Sequence, residues 1–132
     1  MKYNIPWKIR VVEIRERYEK EDLFELSTSK FYKYMKSKGG FIVQAHPYRD
    51  EVCFPTKDYL DAFEVYNSHP RHRNHNDDAN NYANEHKLIV TAGSDTHQIP
   101  DVGLSGIITK TKIESASDYI NAVKTQNLKI IF

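Results

Sequence analysis

Cysteine is nearly missing from this 132-residue sequence, in which Cys53 stands alone. A single thiol excludes an internal disulfide and any zinc site built on several cysteines, and it points to a reducing, cytoplasmic setting. Long apolar runs are missing as well. Nowhere do about 18 apolar residues follow one another, and the stretch from Met1 to Lys8 has no apolar segment of leader length, so neither a membrane span nor a signal peptide is expected. Charge of one sign is also lacking: 19 Lys and Arg face 18 Asp and Glu, a formal +1, with no block of like charge to grip a phosphate backbone. Nucleic acid is therefore not an expected partner. Repeats, low-complexity tracts and linkers do not occur.

What is present is the composition of a globular chain, 39% hydrophobic and 12% aromatic with nine tyrosines suited to half-wet surfaces. The length fits one domain, 1–132. Residues 1–26 read as an irregular lead-in, in which Ile9, Val11, Val12 and Ile14 suit a short strand before a solvated charge run. From Ser27 to Lys38, Phe31, Tyr34 and Met35 fall at helical spacing, with Ser27 or Ser29 able to cap the start and Gly39 suited to the exit. Phe41 to Ala45 reads as a buried strand ending at His46, and Ala62 to Tyr66 as a second, closed by Asn67. A polar helix over 76–87 carries Ala79, Tyr82 and Ala83 as its apolar stripe. Strands at 88–92 and 106–109, a helix capped by Ser115 or Ser117, and a closing strand at 128–132 complete the chain. Strands alternating with helices argue a parallel α/β sheet, whose sites form at the C-terminal ends of the strands.

Three polar clusters follow apolar strands directly: His46-Pro47-Tyr48-Arg49, Asn67, and Gly93-Ser94-Asp95-Thr96-His97. On extended backbone Asp95 and His97 would leave on one face, their Cα atoms roughly 6–7 Å apart. A carboxylate with imidazoles suits Zn²⁺, Mn²⁺ or Fe²⁺, and another strand end could bring His46 to join them. Arg49 offers a planar fork for phosphate, or else a surface ion pair. Glu64, between Phe63 and Val65, points away from the face those two share and reads as a buried structural partner. His69, His72 and His75 cannot all converge from a helix, and with Arg71, Arg73 and Asn74 among them they read as a solvated loop. His86 suits the negative end of a helix. Cys53 has no assignable partner.

The ordered strings from Gly39 to Pro47, from Ala62 to Asn67 and from Ala92 to His97, with Val102-Gly103 shortly after, resemble the C-terminal half of the polymerase-and-histidinol-phosphatase (PHP) superfamily of metal-dependent phosphoesterases. The resemblance implies a partial (β/α)7 barrel, mainly parallel strands alternating with helices over 27–132, with the N-terminal strands missing. It implies a site for two or three Zn, Mn or Fe ions that polarise a phosphoryl group and supply a hydroxide nucleophile. His46 resembles the family's His-Pro ligand, and Asp95 and His97 its late Asp-x-His pair. Arg49 and Asn67 would face a phosphorylated small-molecule substrate. Members open with His-x-His and a bridging Glu, whereas here no histidine precedes His46 and only Glu13 is similar to that Glu. Two functions follow: a phosphoesterase active in a complete chain, or a half-barrel serving binding or assembly. An open barrel edge leads to an expected homo-oligomer.

Overall fold

The computed structural model describes residues 27–132, so the lead-in expected over 1–26, with Glu13, lies outside the described residues. Ser27 is the N-cap of α1 (Thr28–Ser37), its Oγ accepting the Lys30 N–H at 3.4 Å. One of the four N–H groups left open at a helix start is thereby satisfied. The helix exits through Lys38 into Gly39, whose φ of +73° is cheap only without a Cβ.

Three strands follow in one parallel sheet, β1 (Val43–Gln44), β2 (Ala62–Asn67) and β3 (Val90–Gly93), ordered as in the sequence. Val43 pairs with Ala62, Phe63 with Val90 and Asn67 with Gly93. The strand expected over 41–45 shrinks to two residues for local reasons. The Asp61 carboxylate takes the Ile42 N–H at 2.8 Å in place of a ladder partner, and His46 turns the chain out at φ +34°.

Between β2 and β3 lies α2 (Asn76–His86), ending in left-handed Lys87. Alternation along β2 sends Phe63 and Val65 onto this helix, where Ala79 and Ala83 let the backbones approach. Phe63 stacks on Tyr82 with centroids 5.5 Å apart. Of the expected stripe of α2, Ala79 and Ala83 are buried and Tyr82 is partly buried against the same core, while the opposite parity leaves Glu64 free to point elsewhere.

The last two strands depart from the expected parallel arrangement. β4 (Gly106–Thr109) and β5 (Leu128–Ile131) pair antiparallel, Gly106 opposite Ile131 and Thr109 opposite Leu128, although α3 (Ala116–Thr125) connects them. The edge of β3 explains the break. Gln126, left-handed after α3, donates from Nε2 to the Val90 carbonyl at 3.0 Å and accepts the Val90 N–H on Oε1 at 3.4 Å. A side chain thus takes the backbone groups a fourth parallel strand would need. The described strands form a mixed α/β unit of two small sheets. No helix among the described residues is long and apolar enough to cross a membrane.

Candidate functional site

Asn67, the last residue of β2, joins most of the polar groups at this end of the sheet. Its Nδ2 donates to Glu64 Oε2 at 3.0 Å and to Asp95 Oδ2 at 3.3 Å, while its Oδ1 accepts from the His69 N–H at 3.0 Å and from Arg49 Nη2 at 3.4 Å. Its own backbone is met by Asn76, which accepts the N–H at 2.9 Å and donates to the carbonyl at 3.0 Å. A buried carboxamide with every group engaged fixes its neighbours as firmly as itself.

At the end of β3, Gly93 leaves room for the site, since a Cβ there would lie 3.0 Å from Glu64 Oε1. The extended geometry considered for Asp95 is not the one adopted: the residue is left-handed at φ +50°, a region Asp tolerates better than most residues. The turn brings its carboxylate to Arg49 and Asn67 and still converges with His97, whose Nδ1 lies 2.9 Å from the Asp95 carbonyl and 3.6 Å from Oδ1. A carbonyl only accepts, so His97 Nδ1 is the donor to it, an arrangement that in the neutral ring leaves the lone pair on Nε2. Burial works to raise the Asp95 pKa, but the hydrogen bonds from Arg49 and Asn67 and the Arg49 charge outweigh it and hold it low. Glu64 behaves oppositely. Burial pushes its pKa up, only partly offset by the donors Asn67 and the His46 N–H, the latter at 2.7 Å.

The expectation for His69 needs correction, because it is buried and inside the site rather than on a solvated loop. The reason is the asparagines around it. Asn67 accepts its N–H, and Asn74 Nδ2 donates to the carbonyls of Asn67 at 3.0 Å and His69 at 3.2 Å, folding the loop inward. One donor atom each from His69, Asp95 and His97 lies within 4.8 Å of the others. The sequence reading missed this third donor; its signal was the run Asn67, Asn74 and Asn76, side chains able to replace ladder bonds. His72 and His75 do not join it. They meet Asp50 and Glu51 instead, at 2.5 Å and 3.3 Å.

Arg49 sits on a short 3₁₀ turn (Arg49–Glu51) that is tied to the 72–73 segment, the Asp50 carboxylate accepting the Arg73 N–H at 2.8 Å. So held, its Nη2 reaches Asp95 and Asn67, while its buried Nε has no partner among the described residues. His46 stands apart from the three-donor group. Its backbone is fixed by Glu64, and its Nδ1 lies 3.8 Å from Cys53 Sγ, the partner that sequence alone could not assign.

The three-stranded parallel sheet gathers carboxylate, imidazole and guanidinium groups beyond its strand ends, the place where open α/β sheets carry their sites. Residues 73–128 match the family model described as PHP-associated, PHP_C. The matched stretch is consistent with the PHP resemblance, and it contains Asp95 and His97 while beginning after His46, Arg49, Asn67 and His69. No curated protein and no solved structure matches the chain.

The donor set fits a divalent cation. Asp95 keeps Oδ1 clear of the Arg49 contact, His97 keeps Nε2, and His69 lies beside both. Arg49 Nε, unpartnered among the described residues, is a donor that an anion could take.

Proposed function

We propose that this chain is the C-terminal part of a PHP-type metal-dependent phosphoesterase, its strands belonging to a PHP barrel. What carries the reading is the meeting of His69, Asp95 and His97 beyond the strand ends, with an Arg49 guanidinium on Asp95 whose buried Nε has no partner among the described residues. Asp95 and His97, with His69, would hold the cation, which when bound supplies Lewis-acid polarisation of a phosphoryl oxygen. Arg49 binds the phosphate of a phosphorylated small molecule with its fork. Asn67 orients both Asp95 and Arg49, so the cation and phosphate positions share one support. His46, whose backbone Glu64 fixes, is a further candidate ligand at the rim.

The test is metal binding together with turnover by the full-length protein. Zn²⁺ or Mn²⁺ should bind in isothermal titration and release inorganic phosphate from a panel of phosphomonoesters, and Asp95→Asn with His97→Ala should abolish both. If the unaltered protein neither binds the metal nor releases phosphate, the reading is overturned.

A second reading is favoured by the Arg49 contact with Asp95, which already gives that carboxylate a cation. On it the unit is a binding module that takes phosphate without metal. Phosphate binding of equal affinity with and without a chelator would select this reading over the first.

A further inference from the structure

Arg49 is followed by two residues in an uncommon conformation. Asp50 and Glu51 stand at φ +48° and +57°, consecutive non-glycine residues in the left-handed region. Such a residue costs energy and persists only where its surroundings impose it. Asp tolerates the region better than most side chains, but Glu has no such advantage, so contacts outside the turn must hold it.

Those contacts run to residues 72–75, and Asp50 makes the closest of them. Its N–H donates to the Arg73 carbonyl at 2.8 Å, its Oδ1 accepts the Arg73 N–H at 2.8 Å, and its Oδ2 meets His72 Nδ1. The Arg73 N–H is also the largest cause holding the Asp50 pKa below its usual value, so the carboxylate is charged and only accepts. Glu51 reaches the same segment at Arg73 and His75, 2.9 Å and 3.3 Å away. With the Glu51 and Arg73 side chains 59% and 72% exposed, that ion pair contributes little. Asp50 is therefore the tether.

What the tether reaches is itself fixed to the end of β2. Asn74 donates to the carbonyls of Asn67 and His69, and Asn76 meets both backbone groups of Asn67. Arg49 is thus referred to Asn67 twice. Its Nη2 reaches Asn67 Oδ1 at 3.4 Å, and its backbone reaches the Asn67 main chain through Asp50, Arg73 and the two asparagines. A long side chain held only at its tip keeps rotamer freedom that a ligand must remove, whereas one held at tip and root is already ordered.

We propose that Asp50 is a positioning residue for phosphate binding: by tying its turn to Arg73 it sets where the Arg49 guanidinium stands, acting through Arg49 rather than on the phosphate. The inference rests on Arg49 as the phosphate-binding group and stands under either reading of the site.

The experiment is calorimetric titration of inorganic phosphate into the full-length protein in saturating Mn²⁺, for the unaltered protein and the variants Asp50→Gly, Asp50→Asn, Glu51→Gln, Arg49→Met and Asp50→Gly with Arg49→Met. Glycine adopts the left-handed φ without strain, so Asp50→Gly removes the carboxylate and leaves the turn allowed. It should weaken phosphate binding about tenfold, the size of loss that follows removal of a bond to a charged group, with Mn²⁺ affinity unchanged. Asp50→Asn keeps an acceptor for the Arg73 N–H and should restore most of the affinity, while Glu51→Gln should bind as the unaltered protein does. In the Arg49→Met background Asp50→Gly should have no further effect, as expected of a residue that acts through Arg49. Equal phosphate affinity in Asp50→Gly and the unaltered protein, a loss that persists without Arg49, or an equal loss of Mn²⁺ affinity overturns the positioning role and leaves the reading of the site standing. Absence of phosphate binding by the unaltered protein, or an Arg49→Met variant that binds as tightly, overturns that reading and the inference with it. If circular dichroism shows that Asp50→Gly does not fold, Asp50→Ala takes its place with the same expected outcomes.

Discussion

Asn67 and Glu64 show how one buried polar residue can set the behaviour of several others. Removing the Asn67 carboxamide leaves the His69 N–H, Arg49 and the Asp95 carboxylate each short of a partner. Asn67→Ala is expected to cost about 1–3 kcal/mol, the usual penalty for buried groups left unsatisfied, read as a lower urea midpoint. Glu64 gives a pH signature. Its folded pKa lies above the unfolded value of about 4.3, so its contribution to stability is full below that value and is lost as pH rises through the raised one. Glu64→Gln removes the titration, so the difference in stability between variant and parent should move in the variant's favour as pH rises from about 4. A difference that stays constant across urea titrations at several pH values would count against this. The sequence announced Asp95 and His97 by their spacing, and Arg49 and Asn67 by their position after strands. It did not announce His69, because a histidine amid arginines looks solvated until Asn74 and Asn67 are seen to pull its loop inward.

At the scale of elements, the helix ends were the most legible features, since a cap is decided by residues within one turn. Ser27, Gly39 and Ser115 each stand where their chemistry suggests. Ser115 Oγ accepts the Asp118 N–H at 3.1 Å, and Ser115→Ala should cost about 1 kcal/mol in thermal unfolding. Strand bounds were less legible because a strand is finished by its partner, as β1 shows where Asp61 replaces the ladder. The layer of β2 on α2 rests on Phe63, fully buried on Ala79 and Ala83. Phe63→Ala is expected to cost about 3–5 kcal/mol by denaturant titration. Pairing direction was the clearest departure. A strand, helix and strand in succession suggest a parallel crossover, but the Gln126 side chain closes the edge of β3, and β4 and β5 pair with each other.

For the whole molecule, the carboxylates are the common thread. Burial acts to raise the pKa values of Asp61 and Asp95, yet Lys36 and the Ile42 N–H on the first, and Arg49 and Asn67 on the second, bring both below their usual value. Asp101 is held lower still, chiefly by Arg71. Groups with depressed folded pKa values contribute stability above the unfolded value of about 3.9 and lose it as pH falls through the folded one. Stability should therefore be steady near neutrality and fall progressively below about pH 4, in a transition that near-ultraviolet circular dichroism can follow. The same pairs tie distant segments together: α1 to the start of β2 through Lys36 and Asp61, and the loop after β2 to the loop after β3 through Arg71 and Asp101.

By itself the sequence determined the helices, the apolar strands, the core stripe of α2 and the PHP-associated motifs, because each depends on periodicity or on residues close along the chain. Only the tertiary structure decided that Glu64 joins the site, that His69 stands beside Asp95 and His97, that Asp50 ties the Arg49 turn to Arg73, and that β4 and β5 run antiparallel. Those outcomes depend on which side chains satisfy buried backbone groups from far along the chain, and a linear pattern carries no record of such pairings.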